Sequence, residues 1–150
     1  MSNNYRLSEA IAVVAQIDPE ASSVGAASSD YIDMQDFESI IAIVSLGIMV
    51  SSGTLDFKLQ QAKSSTGLSV KDITSASITQ MTSGDNDEQA IVGLRATALD
   101  VANDFQFVKG VLTFGTAGGD SSVVILAGNP KIGPVNSNDL ASVGEIVNVQ

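Results

Sequence analysis

The residues of this 150-residue chain that could do chemistry are mostly carboxylates, and the densest group is the segment 85–88, Asp-Asn-Asp-Glu. Oxygen ligands of this kind suit Ca²⁺. The segment lacks the ligand spacing of the twelve-residue calcium loop and the glutamate that closes such a loop. We therefore expect an acidic hairpin tip in water rather than a metal site.

A second acidic group consists of Asp30, Asp33 and Asp36, which are spaced by three residues in a segment that we expect to be extended. Because side chains alternate between the two faces of a strand, the three carboxylates would not share one face. A solvated edge or an interface edge is therefore favoured over a metal site here as well.

Other catalytic patterns are weak. Glycosidases need two carboxylates across a sugar cleft, usually with aromatic platforms, whereas aromatic residues make up 5% of this chain and Trp is absent. The segment 115–119, Gly-Thr-Ala-Gly-Gly, lacks the Lys and Ser/Thr that follow in a phosphate-binding loop, so it predicts a turn between strands. With no His and no Cys, a Ser–His relay, thiolate or imidazole metal ligands and disulfides are excluded. We predict no catalytic, cofactor-binding or metal-binding residue and no enzymatic activity.

The charge balance argues against two classes of partner. Seventeen acidic residues against seven basic ones give a net charge of −10 and a pI near 4.1. Such a chain is repelled by nucleic-acid phosphates and by anionic lipid, so neither nucleic acid nor membrane is expected as a partner. The basic residues are scattered singly along the sequence: Arg6, Lys58, Lys63, Lys71, Arg95, Lys109 and Lys131.

No membrane span or signal peptide is predicted. The longest apolar run, residues 40–50, is shorter than the roughly twenty residues that cross a bilayer. Near the start of the chain, Ser8, Glu9 and Gln16 interrupt the apolar stretch that a signal peptide would need.

The N-terminal elements have a helical spacing. Apolar residues recur at three- and four-residue steps between Leu7 and Ile17, which predicts a short amphipathic helix or helix-like arm over 7–17. The Asp18-Pro19 pair would end it, because proline disfavours helical geometry in the residue before it. The small, polar segment 19–29 predicts a linker or extended loop.

The middle of the chain has strand periodicity. Residues 40–50 are rich in β-branched side chains and apolar on both faces, which favours a strand between two covered surfaces, although a buried helix is not excluded by periodicity alone. The covering surface would be a second sheet or a neighbouring subunit. After a turn at 51–53, residues 54–62 alternate strictly and predict a half-buried strand.

Later segments continue this pattern. Further strands are expected at 70–81, 90–98, 107–116 and 121–128, with a single helical turn at 99–105 in which Asp100 could cap backbone amides.

About seven strands, spaced by roughly ten residues, indicate a mainly β fold, an antiparallel β-sandwich or barrel with a short N-terminal helix or arm and an extended C-terminal tail. We divide the chain into an N-terminal helix/arm and linker (1–29), a β domain (30–134) and a C-terminal tail (135–150). The tail has a weak apolar pattern at Leu140, Val143, Ile146 and Val147, and a second subunit is a reasonable place for it to pack.

The central part of the chain resembles small head-associated proteins of tailed bacteriophages and prophages over about residues 30–135. The segments that carry the resemblance are 31–37 (YIDMQDF), 40–47, 55–62 (LDFKLQQA), 98–101 (ALDV), 105–108 (FQFV) and 128–130 (GNP) with Pro134. None of these segments is a catalytic fingerprint, and the resemblance carries over no contact residue.

The resemblance implies a virion structural protein that decorates or cements the outer capsid surface and is made in the host cytoplasm. We expect a homo-oligomer, with a trimer favoured and a pentamer possible, bound to the major capsid protein. A tail, baseplate or vertex spike-base component is the alternative. Deleting residues 1–18 or 136–150 is expected to weaken assembly more than it disturbs the sheet.

Overall fold

The computed structural model describes residues 5–135, 138–139 and 141–149, and it is mainly β. One short helix, α1 (Leu7–Ala10), precedes ten strands. The strands are β1 (Ile11–Ser22), β2 (Gly25–Ser28), β3 (Ile32–Asp33), β4 (Phe37–Met49), β5 (Thr54–Ala62), β6 (Lys71–Ser77), β7 (Met81–Thr82), β8 (Gln89–Arg95), β9 (Phe107–Gly115) and β10 (Gly119–Pro130).

The strands form two antiparallel sheets. Sheet A has the order β1-β10-β4-β8, and sheet B has the order β2-β9-β5-β6, with β3 added beside β9 and β7 beside β5. When the two-residue strands β3 and β7 are set aside, eight strands remain, four in each sheet, in the strand order of a double-sheet jelly roll. The predicted antiparallel β-sandwich is therefore confirmed, with more strands than expected.

The core lies between the two sheets, and the alternation of side chains along β4 and β5 fills it. Along β4, Ile40, Ala42, Val44 and Leu46 point inward and are almost fully buried. The inward row of β5 is the strictly alternating one that the sequence predicts: Leu55, Phe57 and Leu59. One side of β4 is therefore covered by a second sheet, as the sequence predicts.

The helix predicted for residues 7–17 is wrong beyond Ala10, because residues from Ile11 onward form β1 and pair with β10. Irregularities interrupt the β1–β10 register between Val13 and Ala15 and between Ile17 and Glu20. A bulge inserts an extra residue, so the two-residue alternation slips and apolar residues fall three apart as in a helix. Pro19 lies in the second irregularity, at a sheet edge, where a strand tolerates proline.

The segment 19–29, predicted as a linker, contains the end of β1 and all of β2. Small residues pair with β9 there, from Gly25 opposite Phe114 to Ser28 opposite Val111. The proposed division of the chain at residues 29 and 134 stays a prediction, although the sheets include residues on both sides of residue 29.

The chain after β10 first packs on its own subunit. The backbone N–H of Val135 donates to the carbonyl of Glu9 over 2.8 Å, and that of Asp139 donates to the carbonyl of Val13 over 2.7 Å. The side chain of Asn138 accepts the N–H of Val13 over 3.0 Å. The first bond holds the chain to α1, and the two bonds at Val13 lie on the outer edge of β1. Residues 1–4, 136–137 and 150 of the predicted arm and tail, and Leu140 of the predicted apolar pattern, lie outside the described residues.

The helical turn predicted at 99–105 is present as the 3-10 turn Val101–Asn103. The strand predicted at 90–98 ends earlier, at Arg95, and a second 3-10 turn, Ala96–Ala98, follows it. The Asp100 side chain does not cap backbone amides. Its carboxylate instead accepts hydrogen bonds from the side chain of Asn103 and from the ammonium of Lys71.

Candidate functional site: the outer face of sheet A

The outward-facing side of sheet A is apolar across its four strands. We call this surface the apolar face, and it consists of six side chains: Val13, Ile41, Ile43, Ile91, Val124 and Leu126. Because these residues alternate with the core residues of the same strands, they point away from the sandwich.

The sheet register brings these residues together in two rows. In the first row, Leu126 lies opposite Val13 of β1 on one side and opposite Ile41 of β4 on the other. In the second row, Ile43 lies between Val124 of β10 and Ile91 of β8. Directly opposed residues on one face of a sheet have Cβ atoms about 5 Å apart, so the six side chains form one continuous patch.

The apolar face is open to solvent in the single subunit. Ile91 is 60% exposed, Ile41 37% and Val124 36%. The remaining positions of the two rows, Gln16 and Gly93, are uncharged. Contiguous apolar surface of this kind marks an interaction site more often than it marks ordinary protein surface.

The outward side chains of β5, at the centre of sheet B, have the opposite character. The Lys58 ammonium donates to Asp72 over 2.8 Å, Gln60 donates to the same carboxylate over 2.7 Å, and Gln80 donates to Asp56 over 2.8 Å. The bond from Lys58, followed by the bond from Gln60, lowers the pKa of Asp72 below its ordinary value. This outer surface suits water, so the two faces of the sandwich are not equivalent.

A second exposed apolar feature is the segment 145–149, Glu-Ile-Val-Asn-Val. Ile146 is 48% exposed, Val147 70% and Val149 86%. Within its own subunit, this segment is held by a side-chain hydrogen bond between Ser8 and Asn148.

The acidic segment 85–88 has a structural role in the connection before β8. The Asp85 carboxylate accepts the backbone N–H of Thr82 over 2.8 Å, and the Asn86 side chain accepts the backbone N–H of Met49 over 3.0 Å. The bond from Met49 fastens the connection to the end of β4. Among the described residues, no group of three or more Asp, Glu, His or Cys side chains is placed to hold a metal ion.

In the other acidic group, Asp30, Asp33 and Asp36, the recorded contacts are one carboxylate bond to a nearby backbone N–H and bonds to backbone carbonyls. The Asp33 carboxylate accepts the N–H of Gln35 over 2.9 Å, and the carbonyl of Asp36 accepts the N–H of Lys131 over 3.0 Å.

The glycine-rich segment 115–119 is the β9–β10 turn that the sequence predicts. A Cβ on Gly118 would lie 1.8 Å from the carbonyl oxygen of Ser22. Glycine is therefore required there by the close approach of the β1–β2 connection, and not by a bound phosphate.

The fold gathers basic residues that are separate in sequence. The ammonium of Lys71 lies 4.1 Å from the centre of the Phe105 ring, and that of Lys63 lies 5.2 Å from it. Lys71 also pairs with Asp100, and this bond, more than the one from Asn103, lowers the pKa of the Asp100 carboxyl. Sequence reading missed this cluster because its members come from the end of β5, the start of β6 and the β8–β9 connection.

Sequence reading also found only part of the apolar face. The two-sided apolar pattern of residues 40–50 indicated Ile41 and Ile43. The contributions of Val13, Val124 and Ile91 could not be placed beside them, because strand order decides which distant strands flank β4.

Within the described ranges, no helix is long and apolar enough to cross a membrane.

Comparisons with known proteins give weak matches. No protein-family model matches the chain, and no curated protein matches its sequence. Among solved structures, the chain is similar to one from the structure of infectious bursal disease virus Gx strain, with 12% identity and a TM-score of 0.42 over 83% of this chain and 32% of that chain. It is also similar to one from the cryo-EM structure of broad bean stain virus, with 10% identity and a TM-score of 0.38 over 93% of this chain and 98% of that chain. This chain thus spans about a third of the length of the first, and these low scores do not establish a shared fold.

Proposed function

We propose that this protein is a virion structural protein that assembles as a homo-oligomer by burying its apolar face. The single observation that carries the proposal is the four-strand-wide apolar surface on the outside of sheet A, with Ile91 60% exposed. Burying apolar surface stabilises association by roughly 25 cal/mol for each square ångström removed from water. An apolar surface that is continuous across four strands is suited to assembly.

The residue content supports a structural role over a catalytic one. Jelly rolls occur in viral capsid proteins, in lectins and in cupins, so the fold alone does not select a function. Sugar binding usually uses aromatic platforms, and aromatic residues make up 5% of this chain with no Trp. With no His and no Cys, the chain also lacks the commonest general base and the nitrogen and sulfur metal ligands.

The finer part of the proposal comes from the resemblance to head-associated phage proteins described above. We propose that the protein decorates or cements the outer capsid of a tailed bacteriophage as a trimer, with a pentamer as the variant, and that it contacts the major capsid protein. The net charge of −10 supports an outer position, because a protein facing packaged DNA would be repelled by phosphate.

The test of assembly places a charge on the apolar face and a matched charge on the opposite sheet. We expect native mass measurement to give an oligomer for the unmodified protein. Ile91→Lys should weaken association at least about tenfold, because losing the burial of one isoleucine side chain is worth more than the 1.4 kcal/mol of a tenfold change. The control is Thr113→Lys on sheet B, where the added charge lies opposite Asp56 and should leave the mass unchanged.

A monomeric unmodified protein, or equal behaviour of the two variants, would contradict assembly through the apolar face. The virion role is tested by adding labelled protein to purified heads and purified tails and sedimenting each. We expect co-sedimentation with heads that Ile91→Lys reduces. Co-sedimentation with tails alone would instead support the tail or baseplate alternative.

A further inference from the structure

The outer edge of β8 carries backbone groups that no strand of the described chain uses. β8 lies at one end of sheet A and pairs there with β4 alone. The N–H of Leu46 donates to the carbonyl of Glu88 over 3.0 Å, so Leu46 and Glu88 are a hydrogen-bonded pair. This pair shows which residues of β8 direct their N–H and C=O groups toward β4. Because hydrogen-bonded pairs alternate along an antiparallel ladder, the backbone groups of Ile91, Gly93 and Arg95 point away from β4. Such an edge is a template for another strand.

All three positions lie on the outer side of sheet A, where Ile91 is part of the apolar face and Gly93 has no side chain. Ile91, Gly93 and Arg95 are all exposed, and a Cβ built on Gly93 meets no atom within 4 Å. A strand added at this edge would therefore continue the apolar face by one further strand.

The chain contains a segment suited to this edge. Residues 145–149 hold three β-branched side chains, which favour strands, and Val147 and Val149 would share one face of a strand. In its own subunit the segment leaves Val149 86% exposed. Its apolar side chains thus gain little burial where they lie.

Resting on the self-association proposed above, we propose that residues 145–149 of one copy add to β8 of a second copy as an antiparallel strand. The register places Glu145 opposite Arg95, Val147 opposite Gly93 and Val149 opposite Ile91. This arrangement pairs the opposite charges of Glu145 and Arg95, places Val147 beside the open space at Gly93, and brings the apolar side chains of Val149 and Ile91 into contact.

Other registers fit less well. A slip by two residues in one direction places Glu145 opposite Gly93, and a slip in the other direction places Val147 opposite Arg95. Each of these registers separates Glu145 from Arg95 and so loses the pairing of opposite charges. In a parallel arrangement that keeps Val147 opposite Gly93, Glu145 would lie opposite Ile91 and Val149 opposite Arg95, so the pairing of opposite charges is lost there too.

The placement of the two edges favours donation between copies. The tail lies beside β1, where Asp139 bonds to Val13, and its end bonds to Ser8 just before β1, whereas β8 is at the opposite end of the same sheet. Copies set side by side would therefore bring the tail of one to the β8 edge of the next. A head-to-tail contact of this kind generates a ring when the rotation closes.

Engineered disulfides test this register, because the chain has no cysteine of its own. We expect the double variant Gly93→Cys, Val147→Cys to form disulfide-linked subunits after mild oxidation, seen as a ladder of bands on a non-reducing gel. The largest linked species should contain as many subunits as the ring. The matched control is Ile91→Cys with Val147→Cys. Its cysteines would be diagonal neighbours about 7–8 Å apart, too far to bridge readily.

Absence of linked subunits in the first variant, or equal linkage in both, would overturn the proposal. Deleting residues 145–150 gives a second measurement and should weaken association while leaving the thermal unfolding of the subunit unchanged. If that deletion leaves the oligomer intact while Ile91→Lys still dissociates it, the strand addition is wrong and the proposed function stands. If the unmodified protein is a monomer, the proposed function itself fails.

Discussion

At the scale of single residues, glycines show most clearly what the fold demands. Gly118 and Gly93 are both in or beside strands, but a Cβ at Gly118 would lie 1.8 Å from the carbonyl oxygen of Ser22 and one at Gly93 would meet open space. The first position is limited by backbone contact, and the second is open on the outer face of β8.

We therefore expect Gly118→Ala to destabilise the subunit by about 1–3 kcal/mol, the usual cost of forcing extra volume into packed structure. The clash is with backbone, which cannot move aside without displacing the β1–β2 connection. Chemical denaturation of the isolated subunit measures the change. Gly93→Ala is the control and should change the free energy of unfolding little; equal effects of both substitutions would refute the close approach.

At the scale of elements, β1 explains why local pattern and structure disagree. Its buried residues are Ala12, Ala15 and Ile17, so the spacing between buried positions is first three and then two. Spacing alone cannot distinguish a helix from a strand whose alternation is interrupted by bulges. The long-range pairing with β10 decides between the two, because β1 as a strand adds a fourth strand to sheet A and places Ala15 beside Ile125 and Ala12 beside Ala127.

This placement changes the expected effect of truncation. Deleting residues 1–18 removes most of the part of β1 that pairs with β10, so we expect loss of the cooperative unfolding transition and not merely weaker assembly. Thermal unfolding followed by circular dichroism measures this outcome. Deletion of residues 145–150 is the matched truncation and should keep the transition; a folded 1–18 deletion would show that β1 contributes little.

At the scale of the whole molecule, two opposing contributions govern association. Each copy carries a net charge of −10, which repels other copies, while the apolar face favours contact. Salt screens the repulsion, since the Debye length falls from about 30 Å at 0.01 M to about 3 Å at 1 M. Burial of apolar surface does not depend on charge.

We therefore expect self-association to strengthen as sodium chloride rises from about 0.01 M to about 1 M, over the range in which the Debye length contracts. Analytical ultracentrifugation at several protein concentrations gives the dissociation constant at each salt level. Lys58 and Asp72 on sheet B offer a contrast, because an interface built on such ion pairs would weaken with salt. A weakening would thus favour a charged interface over the apolar face.

The sequence by itself determined the class of fold and the kind of surface. Strict alternation in residues 54–62 and two-sided apolarity in residues 40–50 are local properties, and β5 and β4 follow them. The composition likewise determines the net charge and, because the chain has no histidine or cysteine, excludes any site that depends on an imidazole or a thiol.

Only the tertiary structure decided which strands lie side by side. Val13, Ile43, Val124 and Ile91 are far apart in the chain, and they meet because β1, β10, β4 and β8 are neighbours in sheet A. Strand order depends on long-range hydrogen bonding and on packing of two sheets, neither of which leaves a periodic signal in a single segment. For the same reason, the spacing of apolar residues in β1 predicts a helix, and the apolar face and the unpaired edge of β8 exist only in the assembled sheet.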